Sequence, residues 1–373
     1  MRRSLSLMVV CVVMVGGLVL GGCRAAERDR GVAWSSSRPV ERAVPAALGG
    51  HPLAMLPENI KLCRALGLDP MVIARLERMQ LYAMSPVEVH QYLKYLHARE
   101  PDLRTRLGIL ARKNKGQAYE IFLLGESPFE LYDAQPLYSL RKSDCVVYAE
   151  HTLAMGLGWD WESFFGFLQR IRYKDGQIGV ATRNHFTESD WAPNNSWLYT
   201  EVTRELGGDR VVEFSQRVNR SASLRRTFGV ETEIPIESRV DAYLPYEEAG
   251  VALEGLRTGD LALIVRGKGV ENLWVGHVTM VIRNEDGTIH LIHSAQPVVR
   301  EESIQQLIRN EVGRIPTKQA EGKGWFHGFK FLRLNDEPLQ RLAEVDGVGA
   351  PVIKVPVGAL ITSEPVRPVI EVE

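Results

Sequence analysis

Apolar residues recur at helical spacing from Ile60 onward: Ile60, Cys63 and Leu66, then Val72, Leu76 and Met79. Side chains three and four apart share one helix face, so the pattern predicts helices across 60–124. Within that block Ser85-Pro86-Val87-Glu88 reads as a capped helix start, with a glutamate three residues after the serine. A second helical block is predicted over 144–173. Ser143 or Asp144 can cap it, and Val146, Ala149, Leu153 and Leu157 supply its apolar face. Beyond Leu256 the period shortens to that of strands, predicted at 260–265, 277–283, 288–293 and 329–334. Asn284-Glu285-Asp286-Gly287 supplies a hairpin between the middle two. Helices first and a small antiparallel sheet last predict an α+β fold.

The flanks lack such periodicity. Residues 24–50 are polar with Ser, Pro and Gly, and read as a tether; the Val- and Pro-rich stretch from Asp336 onward is expected to be a loosely ordered tail. At the front, Arg2 and Arg3 precede an apolar run over 5–20. About 16 apolar residues are short for a membrane span but fit the core of an export signal. The ending Leu20-Gly21-Gly22-Cys23 resembles a bacterial lipobox, which implies cleavage before Cys23 and acylation of its sulfur. A plain secretory signal, with Cys23 incidental, is the alternative. With lipid the protein is anchored to a membrane rather than spanning it. Its expected place is the bacterial cell envelope, facing the periplasm. Arg24 rather than Asp after the cysteine favours the outer membrane in a two-membrane cell. The organisation expected is therefore a signal at 1–22, a tether at 23–50, a helical region at 51–106, a main domain at 107–335 and the tail at 336–373.

Composition narrows the classes. Lys and Arg number 45 against 46 Asp and Glu in 373 residues, a net charge of −1. Loss of 22 residues carrying two arginines leaves 351 residues at −3, so no basic field suggests a nucleic-acid partner. The four cysteines form no CxxC pair and no Cys/His ligand spacing, so neither a metal site nor a disulfide framework is expected.

Candidate chemistry lies in three places. Cys145 falls in the first turn of the second helical block, where free backbone N–H groups and the helix dipole favour a thiolate, provided a base stands nearby. A buried structural cysteine is the plainer reading, and a Cys63–Cys145 disulfide is the alternative open to an exported protein. His277 opens a strand, and the hairpin brings His293 opposite it or one or two positions off, where His293 can orient an imidazole base. His290 lies nearer the turn, as a surface residue would. The third place is the loop 181–197, with Arg183, Asn184, His185, Asp190, Trp191, Asn194 and Asn195. A guanidinium suits a carboxylate, an indole the apolar face of a sugar, and amides a peptide group.

Helix-borne Cys145 followed by His277 and His293 on successive strands resembles the NlpC-type, papain-like cell-wall cysteine hydrolases. More narrowly, the stretch from about Leu107 to Leu334 is similar to the N-acetylmuramoyl-L-alanine amidase-like family, long catalogued as a domain of unknown function. The similarity rests on DCVVYAE around Cys145, IRYKDGQIGVATRNHFTESDW over 171–191, LRTGDLALI, GHVTMVI and HLIHSA. It implies a papain-like fold and hydrolysis of an amide in peptidoglycan fragments, between the muramic acid lactyl group and L-alanine. By the same resemblance Cys145 is nucleophile, His277 base and His293 the orienting third residue, while Arg183, His185, Asp190 and Trp191 shape the substrate cleft. No cofactor, metal or protein partner is implied; the partners are muropeptides and, through the lipid on Cys23, the membrane. A peptidase of the stem peptide and a non-catalytic wall-binding lipoprotein stay open. The family's Gly-Thr-Pro-Tyr-like opening is replaced here by Leu124-Gly125-Glu126-Ser127-Pro128, and Val146-Val147-Tyr148 stand where Thr-Thr-Phe-like residues are common.

Overall fold

The computed structural model describes residues 55–270 and 273–346. Four helices come first: α1 (Pro57–Ala65), α2 (Pro70–Arg78), α3 (Pro86–Arg99) and α4 (Leu103–Lys113). Ser85 and Glu88 form the expected capping box at the start of α3. Helical structure stops at α4, short of position 124. Two short parallel strands follow, β1 (Ala118–Tyr119) and β2 (Lys142–Ser143), and then α5 (Cys145–Leu157) and α6 (Trp161–Arg172). The loop predicted over 181–197 contains one π-helical turn at Thr187–Trp191 and the short α7 (Ala192–Asn194). Next in order are β3 (Tyr199–Glu201), α8 (Thr203–Gly207), β4 (Val212–Val218), α9 (Arg220–Phe228) and β5 (Glu237–Pro245). The last part holds β6 (Leu261–Gly267), β7 (Leu273–Arg283), β8 (Ile289–Ala295), β9 (Val298–Ser303), α10 (Ile304–Gly313), α11 (Ile315–Ala320), β10 (Trp325–Leu334) and α12 (Pro338–Asp346).

The strands form one sheet in the order β2-β1-β9-β8-β7-β6-β10-β5-β4, with β3 also paired to β10. All pairings but β1–β2 are antiparallel. The fold is α+β, as expected, with a sheet larger than the four predicted strands.

The sheet is covered on both faces. In β6, Leu261 and Leu263 join the core built with α1–α6, while Ala262 and Ile264 join a second core with Val202, Ala252, Ile304 and Leu307. A strand buried on both sides reads as a continuous apolar run, which is why β6 was legible in the sequence. Helix α5 is the centre of the first core: every residue from Val147 to Leu157 is buried, so it is apolar nearly all round rather than on one stripe. At Gly156 a Cβ would stand 2.5 Å from Leu107 Cδ2, so glycine lets α4 close directly on α5. That core runs without a break from Cys63 and Leu76 through Leu107 to Met280, and α4 spans position 107.

The stretch from Asp336 is not all irregular. Pro338 suits the first turn of α12, and Leu342 packs against the main core. Leu339, Leu342 and Val345 recur at a spacing of three, a short helical pattern that the Val and Pro content masks. The expected signal, the tether and Cys23 lie outside the described residues, as does the rest of the tail.

Because Leu153 is wholly buried at the centre of α5, Leu153→Ala is expected to cost about 2–5 kcal/mol. Urea unfolding should show a lower midpoint with an unchanged slope.

Candidate active site

Helix α5 starts at Cys145 because Asp144 caps it. Asp144 Oδ1 accepts the backbone N–H groups of Val146 and Val147, each at 2.9 Å. The preceding residue is pinned as well. Ser294 Oγ donates to the Ser143 carbonyl at 2.7 Å, and Ser143 Oγ donates to Gln117 Oε1 at 2.7 Å. Cys145 and Cys63 are both buried and free, so the disulfide alternative is not realised.

Two opposed effects act on the Cys145 sulfur. Burial, and then the Asp144 carboxylate beside it, push the thiol up to about 12; the backbone N–H groups of Val278, Val146 and Cys145 itself pull the other way. Burial wins over the helix terminus. The expectation that the helix start favours a thiolate is thus outweighed in the resting protein.

His277 is aimed by a bulge. Strands β6 and β7 pair in one register from Leu261↔Met280 to Ile264↔His277, then resume one residue out of step at Val265↔Val275. Gly276 is the extra residue, and such an insertion twists a strand and redirects the neighbouring side chain. A Cβ at Gly276 would stand 2.5 Å from Arg266 Cδ, so any other residue there requires the Arg266 side chain to move.

The ladder between β7 and β8 stops at Met280↔Ile292. Continuing its register sets His293 against Thr279, two residues from His277, within the span the hairpin allowed. The two rings meet edge to face, with His277 Nε2 2.6 Å from His293 Nδ1. His293 Nε2 in turn lies 2.9 Å from Glu302 Oε1 on β9. Burial and the neighbouring His293 hold His277 well below the usual histidine range, and burial lowers His293 too. Burial works against charge on Glu302, yet His293 and Arg300 hold its carboxyl down at about 2. His290 sits opposite Ile282 near the turn, paired with Glu301.

Cys145 and His277 both line one cavity of about 160 Å³. Its wall includes Asp144 at the cap of α5 and Glu150 within it, Arg172 from α6, Val275 and Val278 from β7, Phe122 and Leu124 from the loop after β1, and Thr227 and Phe228 at the end of α9. Arg183, His185 and Trp191 are on this wall; Asp190 is not.

The loop's polar groups are committed within the protein. Arg183 forks onto the fully buried Glu126, with Nε donating to Oε1 at 2.7 Å, and also reaches Asp133 at 3.0 Å. Its guanidinium is therefore not a free partner for a substrate carboxylate. His185 Nε2 meets the Val180 carbonyl at 2.7 Å, and burial followed by the Arg183 charge holds it neutral at about 3. Asp190 is buried on Arg220 and accepts the Phe186 N–H at 3.0 Å, which keeps it off the cleft wall. Trp191 Nε1 donates to Glu150 Oε1 at 3.0 Å, and Arg172 closes on the other oxygen of Glu150 at 3.3 Å. Glu188 fixes the loop to the sheet by accepting the Val275 N–H at 2.6 Å, two residues before His277.

Sequence reading missed Glu126, Glu150, Glu188 and Glu302. The first three have no local signature, since their side-chain partners lie at least 22 residues away. Glu302 sits on a strand with one buried residue in six, where no alternation betrays the element.

The fold and its cleft define a mixed α+β protein with a buried cysteine and a paired histidine on one cavity wall. The chain belongs to the N-acetylmuramoyl-L-alanine amidase-like (AmiA-like) family, whose profile matches residues 110–313, more than half of its length. At the family level it is a cell-wall amidase. Among solved structures it is similar to a protein from Legionella pneumophila str. Philadelphia 1, 18% identical over 67% of this chain and 94% of that one, with a TM-score of 0.56. It is also similar to an N-acetylmuramoyl-L-alanine amidase from Bacteroides uniformis, 20% identical over 62% of this chain and 99% of that one, at a TM-score of 0.47. No curated protein matches the chain.

Two outcomes follow from these contacts. Arg183→Met leaves the Glu126 carboxylate buried without its counter-charge and is expected to cost about 3–5 kcal/mol in chemical denaturation; a stable variant with only a raised KM would instead mark a substrate contact. Asp144→Asn keeps the cap acceptor but removes the charge beside Cys145, so the thiol titrates lower. Alkylation of the Cys145 peptide, followed against pH by mass spectrometry, should speed up at fixed pH.

Proposed function

We propose that this protein is a cysteine hydrolase of papain-like, NlpC-type architecture that cleaves the amide between N-acetylmuramic acid and L-alanine in peptidoglycan fragments. The observation that carries this is the sharing of one cavity wall by Cys145 and His277, with His277 held through its Nε2 by His293. Cys145 is the nucleophile, His277 the base and His293 the residue that orients it.

At rest the pair is a neutral thiol and a neutral imidazole, as burial dictates for both. His277 takes the thiol proton as the sulfur attacks the amide carbonyl, so charge appears only when substrate is in place. The oxygen of the tetrahedral intermediate is met by the Cys145 backbone N–H at the helix start, a donor worth about 3–4 kcal/mol if well aimed. Collapse breaks the C–N bond and returns the proton from His277 to the leaving amine. Water, deprotonated by His277, then attacks the thioester carbonyl; the acid leaves and the thiol is restored.

Arg183, His185 and Trp191 act in this reading as the frame of the cleft, and Asp190 supports that frame from behind. The hydrolase unit is assigned to residues 107–335, behind the helical region 51–106. The lipobox-like Leu20-Gly21-Gly22-Cys23 supports export, lipidation at Cys23 and a place on the periplasmic side of the envelope, beside the substrate.

Digestion of defined muropeptides, with products weighed by mass spectrometry, tests the bond. The expected products are an intact sugar and an intact stem peptide; a cut within the stem makes the protein a peptidase instead. Cys145→Ala and His277→Ala should each lower turnover by at least about 10³-fold. Retained muropeptide binding with no cleavage by the unaltered protein would leave a wall-binding lipoprotein.

A further inference from the structure

The histidine pair does not end at His293. Glu302 reaches it from β9, where the register sets Leu291 against Glu302 and His293 against Arg300. The link is thus a diagonal, the step a long side chain can make between neighbouring strands. His277 to His293 is a diagonal of the same kind, so the three side chains cross β7, β8 and β9 in one line. Both oxygens of Glu302 are engaged: Oε1 faces His293 at 2.9 Å and Arg300 Nε at 3.1 Å, and Oε2 accepts from Asn310 Nδ2 at 2.8 Å. Its rotamer is fixed by groups on β9 and α10.

An ionised carboxylate only accepts hydrogen bonds. The His293 nitrogen facing it must therefore carry the proton, since two lone pairs would otherwise meet at 2.9 Å. In a neutral ring the other nitrogen, Nδ1, is then bare and can only accept. The group 2.6 Å away, His277 Nε2, must be its donor. That leaves His277 Nδ1 as the unprotonated nitrogen. The hydrogen bond on one imidazole nitrogen decides the state of the other, and two rings in series pass the choice along.

We propose that Glu302 is a positioning residue that sets the tautomers of both histidines, so that His277 presents a bare Nδ1 able to take the Cys145 proton. This rests on the hydrolase reading above. A group at position 302 that accepts no hydrogen bond would allow either orientation of the chain, and in the inverted one His277 Nδ1 carries hydrogen and cannot serve as base.

The test is nitrogen NMR on the full chain labelled with 15N-histidine, with His277 assigned by the signals lost in His277→Asn. In the unaltered protein His277 Nδ1 is expected to appear unprotonated and Nε2 protonated. Because the Arg300 Nε–H can only donate and shares Oε1 with His293, Glu302→Gln would keep an amide oxygen at that place. Glu302→Leu removes the acceptor altogether. It should protonate His277 Nδ1 in part and lower kcat on muropeptides about 10- to 100-fold, with KM little changed. Cys145 alkylation should slow in parallel. Protonated Nδ1 in the unaltered protein overturns the proposal, and this holds even if Glu302→Leu does not fold. So does a Glu302→Leu variant that loses turnover while its His277 signals stay put. If the tautomers behave as expected but the unaltered protein cleaves no muropeptide, the positioning role stands and the hydrolase reading fails.

Discussion

Everything in this fold answers to one constraint: a helix buried on all sides must begin in the middle of the protein. The first N–H groups of any helix have no intrahelical partner, and in the interior water cannot supply one. At α5 the solution is local. Asp144 takes two of these groups, and the backbone just before it is tied to β1 and β8 through Gln117 and Ser294. With the start fixed, Cys145 has one place to be. It lies against the stretch of β7 where pairing with β8 has ended, close enough for the Val278 N–H to act on its sulfur.

That burial sets the chemistry on offer. A cysteine at a helix start in water would ionise readily; here the same position, enclosed and beside a carboxylate, keeps its proton. The histidine across the cavity is kept neutral by the same exclusion of water. Two groups that each resist charge are a poor resting ion pair but a suitable donor and acceptor for a proton moved during attack. In the proposed mechanism the orientation of the acceptor matters more than its affinity, and the line of His293 and Glu302 is proposed to supply it.

Much of this was readable in the sequence, and the divide falls along sequence distance. The caps at Ser85 and Asp144, the hairpin at 284–287 and the strands β6, β7, β8 and β10 announce themselves over a few residues. His293 was reachable because a tight hairpin fixes register within one or two positions. Strands β4 and β5 were not, because their exposed faces and solvent-side charges give no apolar alternation. The density of polar residues over 181–197 was visible, but the groups that hold them were not. Arg183, His185 and Asp190 looked like ligands for something outside because their partners, Glu126, Val180 and Arg220, lie on elements whose approach only the tertiary fold reveals.

The commitment of those charges also shifts where selectivity can reside. A cleft whose guanidinium groups are already neutralised gains little from an anionic substrate, because desolvating a new carboxylate beside a paired arginine returns no fresh attraction. The wall also has an apolar part: Leu124, Phe228 and Phe122, the last 55% exposed and held at φ 59°, a conformation that L side chains rarely adopt. Such backbone positions persist only when their surroundings enforce them. This exposed ring shares the cavity wall with Arg183, which covers Glu126, and with Trp191, which holds Glu150. For the proposed substrate, this part of the wall offers shape and apolar contact in place of a free guanidinium.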